Sequence, residues 1–185
     1  MNLSVLPKDL PVPKDDGKCD HLEGSLIPSI SLPNQDGNML KINRTDTFRL
    51  IIYCYPMTGN PTKPLPKDWN LIPGARGCTP QTCSFRDNYE SFTKLNAVPI
   101  GISTQTTSEI KEMTIRLNVP YDVLSDYKLT LSNKIKLPTF KIEKKTYIKR
   151  VTMIVEKSII RKCFYPIFPP DLHFKEVIKW LEKNQ

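Results

Sequence analysis

Two cysteines five positions apart, Cys78 and Cys83, lie in the stretch Pro73-Gly74-Ala75-Arg76-Gly77-Cys78-Thr79-Pro80-Gln81-Thr82-Cys83-Ser84-Phe85-Arg86-Asp87. A cysteine does chemistry as its thiolate, the form that attacks electrophiles and is oxidised. Thr79-Pro80 reads as a helix N-cap followed by the first helical position, so Cys78 falls just ahead of a helix. The first N–H groups of that helix have no intrahelical acceptor and favour an anion beside them. A free thiol, with a pKa of about 8.5, is only slightly ionised at pH 7, and making it mostly thiolate takes about 2.7 kcal/mol. A helix N-terminus supplies about 0.3–1 kcal/mol and at most about 2. A further cation is therefore required. Arg76 is the nearest in sequence, and one from elsewhere in the fold would serve better.

The elements that must position these thiols alternate along the chain. Ile27 to Leu32 and Met39 to Ile42 flank Asp36-Gly37, the signature of a β-hairpin. Phe48 to Tyr55 is a nearly continuous apolar run, as expected of a strand buried on both faces. Residues 57–72 hold Gly59, Pro61, Pro64 and Pro66 and form a loop, with Trp69 as its anchor. Phe85, Tyr89 and Phe92 recur at helical spacing and predict one helix from the Thr79 cap to about Leu95. Val98 to Ser103 is a second buried strand. Thr106-Thr107-Ser108-Glu109 is a capping box opening a helix whose inward stripe is Ile110, Met113 and Leu117. Tyr121 to Leu124, Lys149 to Val155 and Ser158 to Phe164 are further strands, and Pro169-Pro170-Asp171 caps a closing helix with Phe174, Val177, Ile178 and Leu181 on one face. This order indicates an α/β fold with a mixed central β-sheet flanked by helices and preceded by a hairpin extension. Residues 1–24 read as an arm and 25–185 as one domain.

Composition narrows the function classes. The 185 residues, 39% hydrophobic and 25% charged, are those of a globular domain with a sizeable core. No apolar run is long enough to span a membrane. The first nine residues lack a basic segment followed by an apolar one, so export is not expected. A net charge of +8 would suit a nucleic acid, but the densest cluster, between Lys134 and Lys149, has few aromatics for stacking and reads as a solvated face. Five cysteines, an odd number, argue against a disulfide framework and for a reducing, cytoplasmic setting. With no C-x2-C spacing and with His21 and His173 far apart, neither a zinc site nor any cofactor is expected. Cys54 and Cys163 sit on strands as inert packing, while Cys19 is a thiol on the arm.

Gly77-Cys78-Thr79, then Cys83, then Phe85-Arg86-Asp87, resembles the active-site segment of peroxiredoxins, closest to the bacterioferritin comigratory (Q-type) branch and its pattern G-C-T-x-x-x-C-x-F-R-D. The hairpin, the strand ending in Tyr55-Pro56, the run Val98 to Ser103 and Arg150 to Val155 follow in the family's order, so the resemblance covers about residues 25–182. It implies a thioredoxin-like fold and a thiol peroxidase. Cys78 is then the peroxidatic cysteine, oxidised by hydrogen peroxide or an organic hydroperoxide to a sulfenic acid. Cys83 is the resolving cysteine that closes an intramolecular disulfide, and a thioredoxin-type dithiol reduces it. Arg150 matches the family's arginine that stabilises thiolate and peroxide, and so supplies the missing cation. The implied assembly is a monomer or weak dimer, without nucleic acid or membrane partners. In place of the family's threonine three residues before the cysteine stands Ala75, so its hydroxyl is lost or comes from Thr58 or Thr79.

Two residues five apart on an intact helix lie roughly 8–9 Å apart at Cα, beyond the roughly 7 Å limit for a disulfide. The 78–83 bond therefore requires the first helical turn to unwind. Spacing alone leaves other readings open. The two cysteines serve equally as small residues at a helix start, Arg86 and Asp87 pair locally, and Cys19 is an alternative resolver. The competing functions are a thioredoxin-like disulfide oxidoreductase, which would want C-x2-C, and a non-enzymatic binding module using the basic surface.

Overall fold

The run Arg49–Cys54 forms the central strand (β3) because every residue after Arg49 is apolar or aromatic and is buried. The computed structural model describes residue 3 and residues 5–43 and 48–184. Met1, Asn2 and Ser4 of the expected arm therefore lie outside the described residues. On one side β3 pairs in parallel with Ala97–Ser103 (β4), which pairs in parallel with Val123–Ser125 (β5). On the other it pairs antiparallel with Val151–Glu156 (β8), which pairs with Ile159–Phe164 (β9). The sheet order is β5-β4-β3-β8-β9, with a short hairpin of Ser31–Pro33 (β1) and Met39–Lys41 (β2) before it.

Alternation along β3 divides the core in two. Ile51, Tyr53 and Tyr55 face Phe85, Phe92, Ile110, Met113, Val177 and Leu181, carried by the helices Cys78–Asp87 (α1), Tyr89–Lys94 (α2), Thr107–Leu117 (α3) and His173–Lys183 (α5). Leu50, Ile52 and Cys54 face the other way, onto Leu32 and Ile42 at the hairpin and Leu131 of the short helix Thr130–Lys134 (α4). Cys19 and Leu22 of the 1–24 segment belong to this second layer. Each fully buried aliphatic side chain contributes about 1.5–3 kcal/mol, so both faces are needed to hold the sheet.

Several elements differ from the sequence reading. The expected N-cap at Thr79 is displaced to Gly77, which takes φ 100° and leaves Cys78 as the first helical residue. A Cβ on Gly77 would sit 2.4 Å from Pro170 Cγ and 2.8 Å from Leu6 Cδ2, so only glycine supplies both the turn and the space. The single helix expected to Leu95 breaks at Asn88, whose side-chain amide donates to the Ser84 carbonyl at 2.8 Å and competes with the backbone ladder. The closing helix starts at His173 rather than from a Pro169-Pro170-Asp171 cap, with the His173 ring packed between Phe85 and Phe164. The third strand begins at Val123, because Tyr121 turns its phenol inward to Tyr53 and the Thr82 carbonyl.

Besides α4, the sequence reading missed a hairpin of Thr139–Ile142 (β6) and Lys145–Ile148 (β7). Its lysines, part of the basic cluster, point outward, while Phe140, Ile142 and Tyr147 pack against Trp69, which is 2% exposed. Trp69 sits in a 3-10 turn, Trp69–Leu71, and meets Tyr147 edge-on at 5.1 Å between ring centroids. The β6–β7 hairpin thus clamps the proline-rich loop onto the body. The capping box of α3 forms as expected, with Thr106 accepting from the Glu109 backbone and Glu109 accepting in return.

Candidate active site

The turn Gly74–Gly77 delivers Cys78 to the first turn of α1 with its side chain buried, 2% exposed. The thiol donates to the Ala75 carbonyl at 3.5 Å. From the opposite side Arg150, the residue before β8, donates Nη2–H to the Cys78 sulfur at 3.3 Å. Seventy-two positions separate the two residues, and the antiparallel register of Cys54 with Val151 brings them together. A guanidinium hydrogen bond strengthens when its acceptor becomes an anion, so this contact binds the thiolate more tightly than the thiol.

Arg150 is itself 3% exposed and is held by more than the sulfur. Its Nη2 also donates to the carbonyls of Gly74 at 3.2 Å and Arg76 at 3.1 Å, and its Nη1 donates to Gln81 Oε1. The same guanidinium therefore fixes the turn before Cys78, the first turn of α1 and the sulfur between them. A buried charge persists only when paired in this way. Arg76, the nearest cation in the chain, is a lesser candidate; burial lowers its pKa, and the Cys78 sulfur pulls it the other way.

Gln81 was absent from the sequence reading, because an amide shows no titration or spacing signal. It is fully buried, and its Nε2 donor, like Arg150 Nε, has no hydrogen-bond partner among the described residues. Tyr55 was also missed as a site residue. Its hydroxyl is buried in the same cluster as Cys78 and lacks a partner among the described residues. Burial, with Tyr53 and Cys78 nearby, pushes its ionisation well up, so it is a neutral phenol.

Neither threonine offered in place of the Ala75 position bonds the Cys78 sulfur among the described residues. The Thr58 hydroxyl donates to Gln105 Oε1 at 3.0 Å, and Thr79 is buried in the first turn of α1 without capping it.

Cys83 lies on α1 one and a half turns further on, half-buried, and burial pushes its thiol up despite Arg86 and Arg116 nearby. Arg86 pairs with Asp87 at 2.8 Å and donates to the Leu117 carbonyl at 2.6 Å, the local structural role expected of that pair. His173 packs behind Phe85, its Nδ1 3.0 Å from Glu176 Oε2. Burial outweighs that carboxylate and the repulsion of Arg150 adds to it, so the ring is held neutral and Nδ1–H is the donor.

Comparison with known proteins supplies the context for this geometry. The model of the AhpC/TSA family matches residues 70–163, which include Cys78, Cys83 and Arg150. Among curated relatives, chloroplastic peroxiredoxin Q of Suaeda salsa is 29% identical over 161 residues, covering 86% of this chain and 67% of its own. Peroxiredoxin bcp1 of Schizosaccharomyces pombe is 31% identical over 139 residues, covering 71% of this chain and 64% of its own. The chain thus spans about two thirds of the length of the curated relatives it matches. The crystal structure of peroxidoxin BcpB from Mycobacterium tuberculosis superposes with a TM-score of 0.73 at 20% identity, covering 89% of this chain and 98% of that one.

Proposed function

The chain belongs to the AhpC/TSA family, as a peroxiredoxin of the Q type, and from that membership we infer a thiol peroxidase in which Cys78 is the peroxidatic thiol. The observation that carries the residue assignment is the Arg150 guanidinium on the Cys78 sulfur at the head of α1. The substrate is a hydroperoxide, and the electron donor is a thioredoxin-type dithiol.

The sulfur anion attacks the terminal peroxide oxygen. The O–O bond breaks, the departing oxygen takes a proton and leaves as water or alcohol, and Cys78 becomes a sulfenic acid. Charge builds on the peroxide oxygens during this step, and donors already in place stabilise it most. Arg150 Nε and Gln81 Nε2 are two buried donors without an acceptor among the described residues. Tyr55 is the hydroxyl that best replaces the missing threonine, being neutral, buried and clustered with Cys78.

Cys83 then attacks the Cys78 sulfur. The S–S bond forms, water leaves, and the external dithiol returns both thiols by exchange. Both cysteines lie within one helix, α1, so this step needs the first turn to open. Opening also exposes the half-buried Cys83, which helps it ionise. The odd number of cysteines supports placing the enzyme in the cytoplasm, and we read its assembly as a monomer or weak dimer.

The test is hydrogen peroxide turnover with a thioredoxin system for the parent, Cys78→Ser and Cys83→Ser. Turnover should vanish in the first, and in the second Cys78 should pass to sulfinic acid. Full turnover in Cys78→Ser would refute the assignment.

A further inference from the structure

Three of the five cysteines lie outside the site just described, and two of them share a pocket. Cys19, 5% exposed, belongs to the core layer against which Cys163 of β9 packs, and both cysteines line the same pocket. That pocket, of about 290 Å³ and completed by Asp20, Glu23 and Tyr165, gives a small oxidant access to the half-buried Cys163.

The segment around Cys19 is fixed against the sheet on both sides of the pair. Upstream, Asp16 accepts from Tyr165 Oη at 2.7 Å and Lys149 Nζ at 2.8 Å. Downstream, Glu23 accepts from Lys162 Nζ at 3.0 Å and from the Cys163 amide at 3.3 Å. The backbone then runs along β9, the edge of the sheet, with Gly24 N–H donating to Ile160 C=O and Ile160 N–H donating to Ser25 C=O. Two thiols held at one pocket by flanking bonds on each side lose little further freedom when they join. That separates this pair from cysteines that merely share a core.

We propose that Cys19 and Cys163 are a second redox-active dithiol, distinct from the Cys78–Cys83 couple, whose oxidation by a hydroperoxide staples the N-terminal segment to the edge strand β9. Cys163 attacks the peroxide, the O–O bond breaks with loss of water or alcohol, and a sulfenic acid forms. The Cys19 sulfur displaces water from it, and the S–S bond closes with its proton leaving in that water. The neighbouring Cys163 and burial push the Cys19 thiol up and keep it neutral, and Cys163 is the less buried of the two, which assigns the first attack to Cys163. Cys54, fully buried on β3, lies near the pair but has no comparable access. Val12, Pro13 and Lys14 of the same segment also line a pocket of about 330 Å³ whose wall includes Gly74 and Arg150.

The experiment treats the full chain carrying Cys78→Ser and Cys83→Ser with millimolar hydrogen peroxide, blocks remaining thiols, and maps peptides without reduction. A peptide joining Cys19 to Cys163 is expected. The melting midpoint should rise by up to about 10 °C, fall back with dithiothreitol, and not move when Cys163→Ser is added. Recovery of Cys19 and Cys163 as separately blocked thiols, or a link from either to Cys54, overturns the proposal. The same map on the peroxide-treated parent decides the question if the serine variants fold poorly. Peroxide turnover of the parent is read separately, so loss of the Cys78 assignment and loss of this dithiol give different results.

Discussion

Replacing Arg150 with methionine isolates what the guanidinium does for the sulfur. Methionine fills much of the same volume without charge or donors, so the Cys78 contact at 3.3 Å is lost while the site stays apolar and filled. A hydrogen bond to a charged group contributes about 1.5–3 kcal/mol, which converts at 1.36 kcal/mol per decade to a rate loss of about 10- to 150-fold. The Gly74 and Arg76 carbonyls and Gln81 Oε1 lose their donor as well, so stability should fall by a further 1–3 kcal/mol, roughly, through the turn rather than the sulfur. Arg150→Lys separates the two effects, since it keeps the charge but cannot reach three carbonyl acceptors and the sulfur at once. The assay is a quenched time course of Cys78 oxidation by hydrogen peroxide at pH 7 in the Cys83→Ser background, which stops at the first chemical step. Lysine should recover part of the rate and little of the stability. A folded methionine variant within about threefold of the parent would refute the reasoning and leave Arg150 a scaffold residue only.

Three further outcomes follow from the geometry. Peroxide-treated parent should yield a Cys78–Cys83 disulfide together with loss of amide exchange protection over the first turn of α1; the link with unchanged protection would disprove unwinding. Gly77→Ala should cost about 2 kcal/mol or more by urea unfolding, because φ 100° and the Pro170 contact both resist a Cβ, and a loss below about 0.5 kcal/mol would contradict the packing. Burial depresses His173 below its ordinary value, so the unfolded chain takes up its proton first as pH falls. Stability should accordingly be full above about pH 6.5 and decline below it by at most about 1.4 kcal/mol per pH unit, a slope that His173→Phe removes. An unchanged slope in that variant would show that another group is responsible.

Local signals were legible in the sequence wherever one short segment decided the outcome. The Thr106–Glu109 box and the apolar run of β3 each depend on neighbours within a few residues, and Trp69 stood out as the one large aromatic of a proline-rich loop although its partners Phe140 and Tyr147 lie far along the chain. The start of α1 was misplaced by two residues because Thr79-Pro80 gives a cap signal, whereas the turn is set by Gly77 against Pro170 and Leu6, contacts distant in the chain. The β6–β7 hairpin stayed hidden because Lys141, Lys144 and Lys145 dominate a stretch whose apolar alternation is only Phe140, Ile142 and Tyr147. Arg150 was found through family resemblance, since no periodicity links it to Cys78. Gln81 and Tyr55 gave no such signal, and the pocket shared by Cys19 and Cys163 depends on where the N-terminal segment crosses β9.

The most direct test is to trap the first oxidised sulfur. Cys83→Ser protein mixed with one equivalent of hydrogen peroxide in the presence of dimedone should carry a single adduct, on Cys78, formed within seconds and sharply slowed in Arg150→Met. An adduct that forms first on another cysteine, or a Cys78 that reacts no faster than free cysteine, would contradict its role as the peroxide-reducing thiol.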